Sequence, residues 1–358
     1  MRLPMQSNGE VDLPQFCSMV DAFLDAGLNY YDTAHGYLGG KSELALRAGL
    51  TSRYPRERYL LTNKLTGNYF NSEEEIRPLF AKQLEACGVD YFDFYLMHAQ
   101  DAELFEKYKA CRAYETAFAL KAEGKVRHVG ISFHDSPEVL DRILTEYPEI
   151  EAVQIQFNYV DYEDDEVQSR RVYETAARHC KPVIVMEPVK GGGLVNLPPE
   201  AQQVFDELQG GSNASYALRF AAGFEQMCMV LSGMSSLEQL RENLSFMVEP
   251  QPLSEAEQTA VKKVREIFDA VELIPCTSCH YCVLDNHCPM DIQIPELFGC
   301  LNNKTKFQNP NQQGFYDHVL TVGHGKASDC IQCGGCEKIC PQHLPIRQLL
   351  KQVAAEFD

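Results

Sequence analysis

Four residues in the first hundred carry the groups needed to protonate an oxygen: Asp32, Tyr37, Lys64 and His98. They sit in three apolar stretches, Asn29-Tyr-Tyr-Asp-Thr-Ala-His-Gly-Tyr37, Leu60-Leu-Thr-Asn-Lys64 and Phe94-Tyr-Leu-Met-His98. Hydride addition to a carbonyl develops negative charge on oxygen, and a phenol, an ammonium and an imidazole around that atom would stabilise and protonate it. A phenol near pKa 10 is a poor acid at pH 7, but a neighbouring ammonium stabilises the phenolate and lowers that value. Each residue alone has a plainer role: a loop tyrosine, a solvated lysine, a core histidine. Their joint occurrence at the ends of successive stretches changes the reading.

A second group of reactive side chains lies in the tail. Of fourteen cysteines, Cys17, Cys87, Cys111, Cys180 and Cys228 are scattered singly, whereas eight form two runs. The second run is Cys330, Cys333, Cys336 and Cys340, followed by Pro341; the first is Cys276, Cys279, Cys282 and Cys288, followed by Pro289. The second has the C-x2-C-x2-C-x3-C-P spacing of bacterial two-cluster ferredoxins, in which three thiolates hold one four-iron cube and the fourth crosses to the other. By that rule one 4Fe-4S cluster takes Cys276, Cys279, Cys282 and Cys340, and the other takes Cys330, Cys333, Cys336 and Cys288. The first run has a last gap two residues longer, placed just before its crossing ligand, where a loop absorbs it. Zinc is the plainer alternative, because C-x2-C pairs also build tetrahedral sites. Triplets with a later Cys-Pro favour clusters over zinc. Cys300 stands outside both runs as a core thiol.

The elements that position these residues alternate. Apolar, β-rich runs at residues 28–33, 59–62, 92–97, 126–132, 152–157, 182–186 and 229–232 are separated by helix-period segments such as 72–87, 102–123 and 166–179. Strand–helix alternation gives a parallel sheet, and in a closed (β/α)8 barrel the carboxyl ends of all strands meet on one face. The four titratable residues lie at or just beyond three such ends. Seven strands are visible; an eighth would precede the helix at about 14–26, where only residues 1–10 remain, so either that strand is truncated or the chain starts late. We read an α/β TIM barrel over residues 1–272 and a small ferredoxin-like domain over 273–358, the tail being short of helix periodicity and rich in Cys, Pro, Gly and Asn.

Composition excludes several classes. The net charge of −19 argues against nucleic acid or an anionic membrane as partner, since a phosphate backbone must be met by a lysine and arginine surplus. From Cys276 onward there are eight acidic and six basic residues, so the acid load belongs to the barrel. No signal-length apolar core and no run of about 18 apolar residues occurs, which leads us to expect a cytoplasmic protein.

Residues 10–250 resemble the aldo-keto reductase family in the order and approximate spacing of its catalytic tetrad. The tail, with Cys276-Thr-Ser-Cys-His-Tyr-Cys282 and Cys340-Pro-Gln-His-Leu-Pro-Ile346, resembles the subgroup carrying a ferredoxin-like domain with two 4Fe-4S clusters. The resemblance implies that Tyr37 is the general acid, that Lys64 tunes it, that Asp32 holds Lys64, and that His98 binds the substrate oxygen. It also implies an NAD or NADP site: Ser132 and Gln154 at the ring, Glu187, Lys190 and Gly191 in the loop 186–193 laid against pyrophosphate, and Gly233, Ser235, Gln239, Glu242 and Asn243 at the adenosine. Three positions depart from the family's usual pattern. Phe133 replaces an asparagine, Glu187 a ring-stacking aromatic, and Gln239 a basic residue, the last favouring NAD.

The leading expectation is an NAD(P)H-dependent oxidoreductase that reduces a small carbonyl substrate, an aldehyde or ketone, or oxidises the corresponding alcohol. Hydride transfer moves two electrons and a cluster normally one, and nothing here reads as a flavin site to join them. The clusters are then structural, redox-sensing, or a relay to a redox partner protein. The competing reading is an electron-transfer or redox-sensing protein whose barrel is not an active reductase.

Overall fold

A computed structural model describes the chain except for Met1, Glu166, Gln209, residues 277–279, residues 285–287, Gln308, Pro310 and Pro341. The chain forms two compact units. One comprises Met1–Gly191 with Ala214–Gln258, the other Gly192–Asn213 with Thr259–Asp358.

In the first unit seven strands pair in chain order, every pair parallel: β1 (Tyr30–Asp32), β2 (Leu60–Leu65), β3 (Phe92–Gln100), β4 (Val126–Phe133), β5 (Ala152–Gln156), β6 (Val183–Met186) and β7 (Met227–Val230). All seven fall at the β-rich runs of the sequence, because strands covered on both faces read as near-continuous Val, Ile, Leu and aromatic residues. Leu61, Leu65, Tyr95, Met97, Val129, Ile131, Val153, Ile155, Val183 and Val185 are buried in one core. The sheet begins at β1 and ends at β7, and these two end strands do not pair with each other among the described residues. Residues 2–10, where the barrel reading places a leading strand, carry an antiparallel bridge between Met5 and Val11 instead.

The helices follow their amphipathic stripes. Ile76, Phe80, Gln83 and Cys87 are the buried line of the helix Glu73–Cys87, spaced as one helical face. The expected single helix over 102–123 is two, Ala102–Ala110 and Ala113–Ala122. Arg112, with φ of 52°, breaks it by a left-handed residue that no helix continues through.

The second unit has a separate core of Ile292, Ile294, Leu297, Phe298, Tyr316, Ile346, Leu350, Val353 and Phe357. Two substantial helices supply most of it, Ile294–Phe307 and Ile346–Phe357. The sequence reading found little periodicity here, yet Ile346, Leu350, Val353 and Phe357 lie at steps of four, three and four, one helical stripe. The Phe357 ring stacks on Tyr316 at 4.7 Å between centroids, and the Tyr316 hydroxyl accepts from the Ala327 amide at 2.9 Å. Gly325 bridges to Ile292, and a Cβ there would sit 2.1 Å from the Met290 carbonyl oxygen, so only glycine allows this approach.

Candidate active site and cluster cradle

The strand register brings the four titratable residues together. Asp32 closes β1, opposite Thr62 of β2, and Lys64 lies two residues further along β2, opposite Leu96. The Lys64 side chain is almost fully buried. Its ammonium donates to Asp32 Oδ1 at 2.5 Å and to the Thr33 carbonyl at 2.9 Å, and it stands 5.2 Å from the centre of the Tyr37 ring. Lys64 is also fixed through its backbone. Its amide donates to Asn63 Oδ1 at 2.8 Å, and its carbonyl accepts from Gln83 Nε2 at 2.9 Å.

His98 arrives by a different device. The β3–β4 register shifts between Met97 and Gln100, and Ala99 takes a φ of 55°. Such an irregularity re-aims a side chain at a strand end. The Ala99 amide donates to Ser132 Oγ at 2.8 Å, which ties this turn to β4. His98 Nε2 then lies 3.3 Å from the Tyr37 hydroxyl and Nδ1 lies 2.8 Å from Thr66 Oγ1. Tyr37 itself follows Gly36, whose φ of 89° favours glycine. A Cβ there would also meet the Tyr69 hydroxyl at 2.3 Å.

Burial governs the electrostatics. It raises the Tyr37 phenol above its ordinary value; Lys64 pulls the other way and Asp32 adds to the rise. The sequence expectation of a lowered phenol is therefore overturned: the ammonium does pull the value down, but desolvation outweighs it. Tyr37 holds its proton at neutral pH. His98 is pushed down to about 3, first by burial and then by the Lys64 charge. Its imidazole is neutral in the physiological range, with one nitrogen donating and one accepting.

Around this centre, Gln154 of β5 donates to Asp32 Oδ2 at 3.2 Å, and Ser132 lies opposite it on β4. Phe133 is buried. Glu187 and Lys190 both have positive φ, as does Gly191. The Lys190 ammonium donates to Asp161 Oδ1 at 2.6 Å. Gly192 and Gly193 belong to the second unit. Gly233 packs against Arg2, and Ser236 caps the helix Leu237–Met247 by accepting from the Gln239 amide. Gln239 Oε1 accepts from the Ser235 amide at 2.7 Å, and Asn243 donates to Ser232 Oγ at 3.0 Å. Glu242 lies one residue before Asn243 on the same helix. Sequence reasoning missed Thr66, Asn158 and Asp161. Thr66 alone left a signal, standing one residue beyond β2 and two beyond Lys64.

In the second unit a cavity is lined by Cys276, Cys282 and Cys340 together with His280, Ile294, Pro295, Phe298, Leu344 and Ile346. Cys340 of the second run thus stands beside two cysteines of the first, as crossing requires. Cys288 and Cys330 lie close enough to Cys336 to oppose its ionisation, and Cys333 is exposed. Cys279 lies outside the described residues. Three thiols in a largely apolar wall, with His280 and Gln342 also lining it, have the chemistry to hold an iron–sulfur cluster, whose irons are bound by cysteine thiolates and whose potential depends on such burial.

Comparison with known proteins finds relatives for both parts of the chain. Residues 1–266 match the profile of the aldo/keto reductase family, and residues 275–344 that of a 4Fe-4S dicluster domain. The chain is 27% identical over 305 residues to an NADH-specific methylglyoxal reductase of Escherichia coli, covering 73% of this chain and 91% of that one. It is 27% identical over 269 residues to an L-galactose dehydrogenase of Arabidopsis thaliana, covering 69% and 82%. Among solved structures, an aldo-keto reductase of Klebsiella pneumoniae in complex with NADPH superposes with a TM-score of 0.57 at 20% identity, covering 74% of this chain and 90% of that one. An aldo-keto reductase of Bacillus halodurans in its holo form gives 0.58 at 24%, covering 74% and 91%.

Proposed function

Because the chain belongs to the aldo/keto reductase family and carries a 4Fe-4S dicluster domain, we propose that its barrel reduces a small carbonyl compound with a nicotinamide, with Tyr37 as the acid. The observation that carries this reading is Lys64. A buried ammonium pinned between Asp32 and the Thr33 carbonyl lies beside the Tyr37 ring, whose hydroxyl also meets Nε2 of the neutral His98.

When bound, the reduced nicotinamide supplies the hydride. The chain's own residues manage the oxygen. His98 donates from Nε2 to the carbonyl when Thr66 donates to Nδ1, a tautomer that the threonine hydroxyl can support. Tyr37, kept protonated by burial, gives its proton as the oxygen becomes an alkoxide. Lys64 stabilises the phenolate that remains, and Asp32 keeps Lys64 charged and in place. Ser132 and Gln154 would face the ring amide, the loop from Glu187 through Lys190 to Gly191 the pyrophosphate, and Gly233, Ser235, Gln239, Glu242 and Asn243 the adenosine. An uncharged Gln239 engaged with the Ser235 amide favours NADH, as does the name of the E. coli relative. That relative's substrate makes a 2-oxoaldehyde the first compound to try.

In the tail, Cys276, Cys279, Cys282 and Cys340 would hold one cluster and Cys330, Cys333, Cys336 and Cys288 the other. They would serve as scaffold or as one-electron relay.

The test is anaerobic oxidation of NADH and of NADPH by cluster-loaded protein against a panel of aldehydes and ketones. Turnover of at least one small carbonyl is expected, faster with NADH. Absence of turnover together with absence of nicotinamide binding contradicts the reading.

A further inference from the structure

Lys190 lies in the glycine-rich loop after β6, where a lysine would ordinarily be read as a direct partner of a phosphate. Its ammonium instead points at a carboxylate of the same unit. Asp161 is 1% exposed and accepts three side-chain hydrogen bonds: from Lys190 at 2.6 Å, from Gln156 at 2.7 Å and from Asn158 at 2.6 Å. Asn158 also donates to the Glu187 carbonyl at 3.1 Å, and its own Oδ1 accepts from the amides of Val160 and Asp161.

These bonds make a frame. Asn158 grips the start of the loop at Glu187, and Asp161 grips it three residues later through Lys190. Between and beyond those grips the backbone is in left-handed conformations, with φ of 53° at Glu187, 46° at Lys190 and 64° at Gly191. Two of these three are not glycine, and such backbone persists only when its surroundings over-determine it. The frame is what does so.

We infer that Asp161 is a positioning residue for nicotinamide binding: through Lys190 and Asn158 it holds the loop Glu187–Gly191 in the shape whose amides meet the pyrophosphate, and Lys190 acts as a strut and not as a phosphate ligand. The inference rests on the proposed nicotinamide reading. It assigns the loop's affinity to shape, since a lysine charge neutralised by a buried carboxylate adds little attraction for an anion.

The two roles of Lys190 give opposite signs on one variant. If Lys190 were a phosphate ligand, Asp161→Asn would release its charge and tighten binding. If it is a strut, the same change puts an amide N–H among three donors and loosens the loop. Calorimetric titration of NADH into full-length, cluster-loaded protein under anaerobic conditions reads this directly. The Kd is expected to rise about tenfold in Asp161→Asn and similarly in Lys190→Met, with the double variant no weaker than either single one, because the pair acts as a unit. In turnover the change appears in KM for NADH and not in KM for the carbonyl. Hydrogen exchange at Glu187–Gly191 should quicken in both variants without ligand, while the unfolding midpoint stays near that of the parent protein. Tighter or unchanged NADH binding in Asp161→Asn overturns the inference, and if that variant does not fold, unchanged binding in Lys190→Met does so. Should the parent protein bind neither NADH nor NADPH, the nicotinamide reading fails first. Exchange at the loop then decides the strut by itself, and unchanged rates contradict it.

Discussion

His98 stands between two hydroxyl groups, and its value depends on which way its protons face. At 2.8 Å from Nδ1, Thr66 can donate and leave Nε2–H toward the substrate, or accept and leave Nε2 bare. Thr66→Val removes this choice, and carbonyl turnover is expected to fall about tenfold or more while Thr66→Ser retains it; steady-state kinetics of the two variants checks this. The burial of His98 also sets a pH dependence. Its folded pKa of about 3 lies below the unfolded value of 6.5, so the unfolded chain binds the proton first. Stability is full above about pH 6.5 and falls as pH drops toward 3, by about 1.4 kcal/mol per pH unit at most from this group. Denaturant melts at pH 6.5 and pH 4.5 should differ less for His98→Gln than for the parent. At this scale the sequence was informative where function and strand end coincide: Asp32, Lys64 and His98 could be read from their positions. It gave only a positional hint of Thr66, one residue beyond β2, and none of Asp161, because an aspartate in a loop has many ordinary uses.

The strands and helices were legible to within a few residues, since buried parallel strands are apolar along their whole length. Breaks set by a single residue were not: the left-handed Arg112 that splits one helix into two, and the shift after Met97 that turns His98. The tail helices were missed for a different reason. Their stripes are short and interrupted by Gln, Lys and Asn, so the cysteines dominate the pattern. Two glycines carry elements into place and can be tested. Gly36→Ala forces a Cβ against the Tyr69 hydroxyl at a left-handed position, and is expected to cost about 1–3 kcal/mol and to lower turnover by displacing Tyr37. Gly325→Ala drives its Cβ first into the Met290 carbonyl oxygen, backbone that cannot swing aside. It should destabilise the second unit by about 2 kcal/mol or more, seen as a lower midpoint for loss of cluster absorbance while barrel circular dichroism is retained.

On the scale of the whole molecule, one chain joins an aldo/keto reductase domain to a 4Fe-4S dicluster domain. Hydride leaves a nicotinamide as an electron pair, and iron–sulfur clusters pass electrons singly. The acid load of −19 lies mostly on the barrel, and among the described residues no helix is long and apolar enough to cross a membrane. The core of the second unit includes Cys282, Cys336 and Cys340, so clusters held by these cysteines would contribute to its folding. Removing iron with a chelator under reducing conditions is therefore expected to unfold the tail and leave the barrel's helical signal; coincident loss of both would show one cooperative body. If the clusters relay electrons to the barrel, Cys333→Ala with Cys336→Ala should also abolish carbonyl reduction in a protein whose barrel remains folded. The central claim is that reduction takes place at Tyr37, and it is tested most directly by Tyr37→Phe. Turnover of the best carbonyl with NADH should fall by about 10²–10⁴ while the calorimetric Kd for NADH stays within about twofold. Retained turnover in Tyr37→Phe would contradict the account.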